Sequence, residues 1–197
     1  MRQRLSSKFI EFKPLSGEDI YQDFFYDGKL QNEEGIESVY NAAHSEISYS
    51  NIKVFKYKAP LKGRTDGYIK CKITESDGVA YVNFCGLQEV KLNIKRGSTA
   101  YRNQIAQALL YYCQYKVGEI KVIIINSVNY FDYFFIDENE GIIDKEYLLE
   151  AIQQGCPSTM CKKITIPNNL KIYRLDMPTR EDISKSWKHI YKHCLDL

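Results

Sequence analysis

Glu89 and Lys91 put a carboxylate and an ammonium two residues apart in the apolar stretch Leu87-Gln88-Glu89-Val90-Lys91-Leu92. If that stretch is a strand, the two charged side chains share one face while Val90 and Leu92 turn toward the core. A second acid, Asp66, lies upstream across what reads as a hairpin. Two carboxylates that converge repel each other unless a cation neutralises them. For an all-oxygen set the usual cation is Mg²⁺ or Mn²⁺. The main-chain carbonyl of Val90 is a third hard oxygen in reach. A metal held there would polarise a phosphate and lower the pKa of water. Lys91 is placed to orient that water or to stabilise negative charge on phosphorus. Gln107, or Gln104 one turn earlier, could hydrogen-bond the water, the lysine or a phosphodiester.

These residues need a particular frame. Asn51 to Lys58 reads as a strand ended by Pro60 and Gly63. Arg64 to Thr74 alternates, with Ile69, Cys71 and Ile73 on one face and Asp66, Tyr68 and Lys70 on the other. Ser76-Asp77-Gly78 is a hairpin turn, and the next strand runs from Val79 through the charged stretch, with Gly86 expected at a bend or bulge. Hairpin pairing then brings Asp66 and Glu89 side by side.

After Lys91, the basic loop Asn93-Ile94-Lys95-Arg96-Gly97 closes on a helix cap at Ser98 or Thr99. The helix extends to about Val117, with Tyr101, Ile105, Ala108, Tyr112 and Tyr115 as its core stripe and Gln104, Gln107 and Tyr111 on one side. Gly118 ends it. Lys121 to Ile125 is a continuous β-branched run, the mark of a strand buried on both faces in a sheet with parallel character. Further on, Tyr130 to Ile136, Lys162 to Ile166 and Leu170 to Arg174 read as strands, and Asp144 to Gln154 and Thr179 to Cys194 as helices. Upstream, Ile36, Val39, Tyr40, Ala43 and Ile47 recur at helical spacing and predict a helix over about 32–48, with Glu33, Glu37 and His44 along one flank. The expected fold class is α/β, a mixed central sheet flanked by helices.

The order of these parts resembles a known family. Gly63-Arg64-Thr65-Asp66-Gly67, then Glu89-Val90-Lys91, then Gln107-Ala108-Leu109-Leu110-Tyr111 is similar to the PD-(D/E)xK nuclease superfamily, with its restriction-endonuclease-like core, and to members carrying a helical QxxxY signature. The resemblance covers about 33–126, within one nuclease-like domain expected over 1–197 with a C-terminal elaboration over 127–197. It implies that Asp66, Glu89 and the Val90 carbonyl bind Mg²⁺ or Mn²⁺ and that Lys91 is catalytic. Gln107 and Tyr111 would support it, and an acid from the first helix, Glu33 or Glu37, would complete the metal site. Thr65 stands where the family has proline. The implied activity is metal-dependent hydrolysis of DNA in a restriction, defence or repair system.

Composition fits this reading without forcing it. The 197 residues carry a net charge of +2 and the unusual load of 16 Tyr and 9 Phe, so the distribution of charge matters more than its sum. Residues 51–72 hold six Lys and Arg64 against Asp66 as the one acid, whereas 131–150 hold seven acids and Lys145. Lys62, Arg64, Lys95, Arg96 and Arg102, with Lys53, Lys56 and Lys58, are the expected phosphate contacts. No run of roughly 20 apolar residues is present to span a membrane. The six cysteines form no compact framework, so free thiols and a cytoplasmic location are expected. Cys156, Cys161, His189 and His193 have zinc-like spacing within each pair but no tight knuckle between the pairs. A homodimer or a larger restriction or repair complex is compatible with the aromatic load. The alternative readings are a catalytically inactive nucleic-acid-binding or assembly module with the same fold, and a plain scaffold.

Overall fold

The computed structural model describes residues 37–40, 52–54, 65–76, 79–113 and 120–194. Its described strands are β1 (Glu37–Tyr40), β2 (Ile52–Val54), β3 (Gly67–Ser76), β4 (Val79–Val90), β5 (Val122–Ser127), β6 (Tyr130–Phe135) and β7 (Tyr173–Asp176). The helices are α1 (Thr99–Cys113), α2 (Lys145–Gln154), the single turn α3 (Pro157–Met160) and α4 (Arg180–Cys194). The strands join in one mixed sheet in the order β1-β3-β4-β5-β6-β7, with β2 also on β4.

β4 organises the sheet because it is long enough to serve two neighbours on one edge. Ala80 to Val82 pair in parallel with β2, and Gly86 to Val90 pair in parallel with β5. Its other edge carries β3, antiparallel, from Ser76 opposite Val79 to Gly67 opposite Gln88. The expected hairpin is therefore present, while Asp77 and Gly78 lie outside the described residues. The register slips beside Gly86, skipping Cys71 on β3 and Cys85 on β4. Gly86 is required by packing: a Cβ there would sit 2.5 Å from Ile69 Cδ1 and 2.6 Å from Val122 Cγ1. Cys85 is disulfide-bonded, which corrects the expectation of free thiols at that position; Cys113, Cys156, Cys161 and Cys194 form no disulfide. Sequence spacing carries no signal for a bond that depends on strand pairing.

The β-branched β5 is buried over its whole length, as its composition predicts. Its residues alternate between two cores. Ile123 and Ile125 join Leu87, Tyr130 and Phe134 beneath α1 and α2, and Val122 and Ile124 join Ile69, Phe131 and Phe135 beneath α4. Each fully buried aliphatic or aromatic side chain contributes about 1.5–3 kcal/mol. α1 starts at the expected cap: Ser98 Oγ accepts from Tyr101 N–H at 3.2 Å, after Gly97 turns the chain with φ +82°. α4 starts with a reciprocal box in which Thr179 and Asp182 bond each other's main-chain N–H.

Two elements differ from the sequence reading. Residues 37–40 form an edge strand antiparallel to β3, not a helix turn; Gly35 and the β-favouring pair Val39-Tyr40 weaken the helix, and pairing with β3 supplies the alternative. The rest of 32–48 lies outside the described residues, as do 1–31 and 55–64. Lys162 to Ile166 form no strand: Ile164 and Ile166 pack one side of a loop onto the α1 core without a strand partner. The last strand begins at Tyr173 rather than Leu170. Among the described residues no helix is long and apolar enough to cross a membrane.

Candidate active site

The register that pairs Gly67 with Gln88 sets Asp66 opposite Glu89 at the open end of the hairpin. Thr65, where the resembled family has proline, is buried there and donates its hydroxyl to the Gln88 carbonyl at 2.6 Å. This bond fixes the entry to β3. Asp66 Oδ2 then accepts the Val90 N–H at 2.7 Å, so the first acid is held by the backbone of the strand that carries the second.

Lys91 Nζ closes the cluster. It lies 2.7 Å from Glu89 Oε1, 3.3 Å from Asp66 Oδ2 and 3.1 Å from the Val90 carbonyl. The side chains of Glu89, Asp66 and Lys91 are 1%, 20% and 26% exposed, so solvent reaches the cluster from the aspartate and lysine side. Burial pushes the Asp66 carboxyl above the usual carboxylate range, against the pull of the Lys91 ammonium and the Val90 N–H. Leu92, expected in the core with Val90, is exposed at 36% because the strand has ended.

The two candidate glutamines have different partners. Gln104 is buried, and its Nε2 donates to the carbonyls of Glu89 (2.8 Å) and Asn126 (3.1 Å), while its Oε1 accepts from Tyr130 O–H at 2.5 Å. It ties the ends of β4 and β5 beneath the acids. Gln107 is half-buried and donates to the Tyr111 hydroxyl at 3.3 Å. Burial, then the nearby charge of Glu89, push the Tyr111 phenol up to about 12, with Asp66 adding to the effect. Gln107 and Tyr111 thus flank the carboxylates as a pair.

Other expected site residues fall elsewhere. Glu37 is on a strand rather than a helix, and its register partner is Lys70, four residues along β3 from Asp66. At about 3.3 Å per residue its backbone is some 13 Å from the acids, which removes it from a helix-borne metal set. Glu33, Lys62 and Arg64 lie outside the described residues. Lys95 and Arg102 are exposed, Arg102 donating to Asn168 at 3.2 Å. Arg96 is committed elsewhere. Its Nε and Nη2 bind both oxygens of Asp132 at 3.0 and 2.6 Å, its Nη2 also meets the Leu175 carbonyl, and its Nη1 meets Asp176. Its fork is occupied by carboxylates, so in this structure it forms an ion-pair network with Asp132 and Asp176.

Asp132 is the residue that the sequence reading missed. The registers align Glu89, Ile125, Asp132 and Arg174 in one row across β4 to β7, so Asp132 occupies the same face two strands from the acids. It is fully buried and also accepts from the Tyr101 hydroxyl at 2.6 Å. An acid inside the otherwise aromatic run Tyr-Phe-Asp-Tyr-Phe-Phe was the available signal, since a buried charge needs a partner.

Compared with protein-family models, curated proteins and solved structures, the chain matches none. The site therefore stands on its own chemistry. Asp66, Glu89 and the Val90 carbonyl already surround one cationic nitrogen, and hard oxygens of this kind suit Mg²⁺ or Mn²⁺. Among the described residues no group of three or more His, Cys, Asp or Glu is set for a metal. The zinc-like residues do not meet: Cys161 is in the core under α1, whereas His193 stacks on Phe135 and bonds Asp137 beside α4.

Proposed function

We propose that the chain is a metal-dependent deoxyribonuclease of the PD-(D/E)xK superfamily, with a restriction-endonuclease-like core, hydrolysing phosphodiester bonds in a restriction, defence or repair setting. The observation that carries this reading is the convergence of Asp66 Oδ2, Glu89 Oε1 and the Val90 carbonyl on the Lys91 ammonium. Mg²⁺ or Mn²⁺, when bound by those oxygens, supplies a polarised phosphate and a more acidic water.

The remaining work belongs to the chain. Thr65 and Gln104 fix the two strand ends, so the acids are held before substrate arrives. Lys91 supplies positive charge where a phosphorane would gather negative charge. Tyr111 keeps its proton at neutral pH and, with Gln107, offers hydrogen bonds on the α1 side of the acids. Lys95 and Arg102 offer cations to the DNA backbone and position it without reading its sequence.

The test is nicking of supercoiled plasmid with Mg²⁺ or Mn²⁺, beside Glu89→Ala and Lys91→Ala. Cleavage that requires the metal and is lost in both variants supports the proposal. DNA binding that survives both substitutions, with no cleavage by the wild type in either metal, refutes it in favour of a binding module.

A further inference from the structure

The oxygens assigned to a divalent cation already hold a cation of the chain's own. Glu89 is fully buried, and a buried carboxylate needs a compensating charge close by. The Lys91 ammonium provides it at 2.7 Å while also contacting Asp66 Oδ2 and the Val90 carbonyl. Mg²⁺ sits about 2.1 Å from its oxygen ligands. An ion drawn to these same oxygens would crowd onto the nitrogen, and two cations cannot share that point.

From this juxtaposition we infer that Lys91 is the resident counter-ion of the site and that a divalent metal enters by exchange with its ammonium. The inference rests on the metal-site reading above and deepens it. With both acids ionised, the acids and Lys91 together carry a net charge of −1, and −2 once the ammonium leaves. A divalent ion balances the latter and leaves the lysine surplus. The released ammonium is then free for a substrate phosphate, so metal entry arms Lys91 for the phosphodiester. Metal binding and phosphate binding become coupled through one side chain.

The test uses Mn²⁺ alone with the full chain, read by calorimetry, with no DNA present. Lys91→Met removes the competing charge at similar length, and Mn²⁺ binding tightens by about tenfold, within the usual range of coupling between two sites. An affinity left unchanged or weakened by Lys91→Met overturns the inference while leaving the metal site standing. Absence of Mn²⁺ binding in both proteins overturns the inference and the metal-site reading together. A second measurement needs no variant to fold. Acylation of the wild type, read by mass spectrometry, labels Lys91 faster when Mn²⁺ is added. Labelling that is equal or slower with Mn²⁺ overturns the inference.

Discussion

Asp132→Ala is expected to be the most damaging single change outside the acids themselves. The Asp132 carboxylate is fully buried and accepts from Arg96 Nε at 3.0 Å, from Arg96 Nη2 at 2.6 Å and from the Tyr101 hydroxyl at 2.6 Å. Its removal leaves a guanidinium that is only 21% exposed without its main acceptor and takes the acceptor from the buried Tyr101 hydroxyl. Breaking one side of such a pair costs about 3–5 kcal/mol, a large part of the roughly 5–15 kcal/mol that holds a domain folded. Asp132→Asn keeps the shape and one acceptor, and is expected to cost about 1.5–3 kcal/mol. Replacing both partners, Asp132→Leu with Arg96→Met, recovers much of the loss, because no unpaired charge is left buried. Urea unfolding followed by the fluorescence of Trp187, the chain's one tryptophan and a core residue under α4, measures all three. The pH dependence has a defined sign. Burial holds the Asp132 carboxyl above its ordinary range against the pull of Arg96 and Tyr101, so the protonation-linked part of its stabilisation is fully present below the unfolded carboxylate value of about 3.9 and falls away as pH rises through the folded value, while the bonds to Arg96 and Tyr101 are what the substitution removes at neutral pH. Asp132→Asn removes that slope. An Asp132→Ala protein within about 1 kcal/mol of wild type, where about 3 is expected, would show that the buried Arg96–Asp132 pair does not hold the fold.

Tyr111 is pushed up to about 12, so its contribution is fully present below the ordinary tyrosine value of about 10 and falls as pH rises toward 12. The loss is about 2–3 kcal/mol, and Tyr111→Phe flattens the decline in denaturation midpoints measured at alkaline pH. Gln104→Leu leaves the Glu89 and Asn126 carbonyls without its amide and lowers stability by about 2–4 kcal/mol. Gln107→Ala, on the half-buried flank, lowers cleavage while the unfolding midpoint stays within about 0.5 kcal/mol of wild type. Replacing Lys95 and Arg102 together with alanine reduces the slope of log affinity for duplex DNA against log salt by about 1.8, near 0.9 for each phosphate contact. Arg96→Gln leaves that slope unchanged in the folded protein.

The hairpin, the buried strand β5 and the Ser98 cap were legible because each is encoded locally. Alternation with a turn at Asp77-Gly78, a β-branched run and a serine before an apolar helix need no distant partner to be read. What was not legible shares the opposite property. Arg96 sits in a basic loop and reads as a phosphate contact, yet its partner Asp132 is 36 residues away and on another strand. Glu37 belongs to a segment whose apolar spacing suits a helix turn and a short edge strand alike, and only pairing with β3 decides between them. Gln104 and Gln107 are a turn apart, and the sequence does not say which one meets the strand carbonyls. Asp66 and Glu89 were found because register follows from hairpin geometry. Lys91's place among three oxygens was not, because it depends on side-chain conformation.

If Asp66 and Glu89 form the metal centre of a phosphodiesterase, cleavage depends on the charge of each carboxylate. The most direct measurement is the single-turnover rate of duplex DNA cleavage at saturating Mg²⁺ for wild type and for Asp66→Asn, a near-isosteric change that removes one metal-binding charge. The expected loss is at least about 10³-fold with folding intact. Cleavage by Asp66→Asn within about tenfold of wild type, a difference of only about 1.4 kcal/mol in barrier, would contradict it.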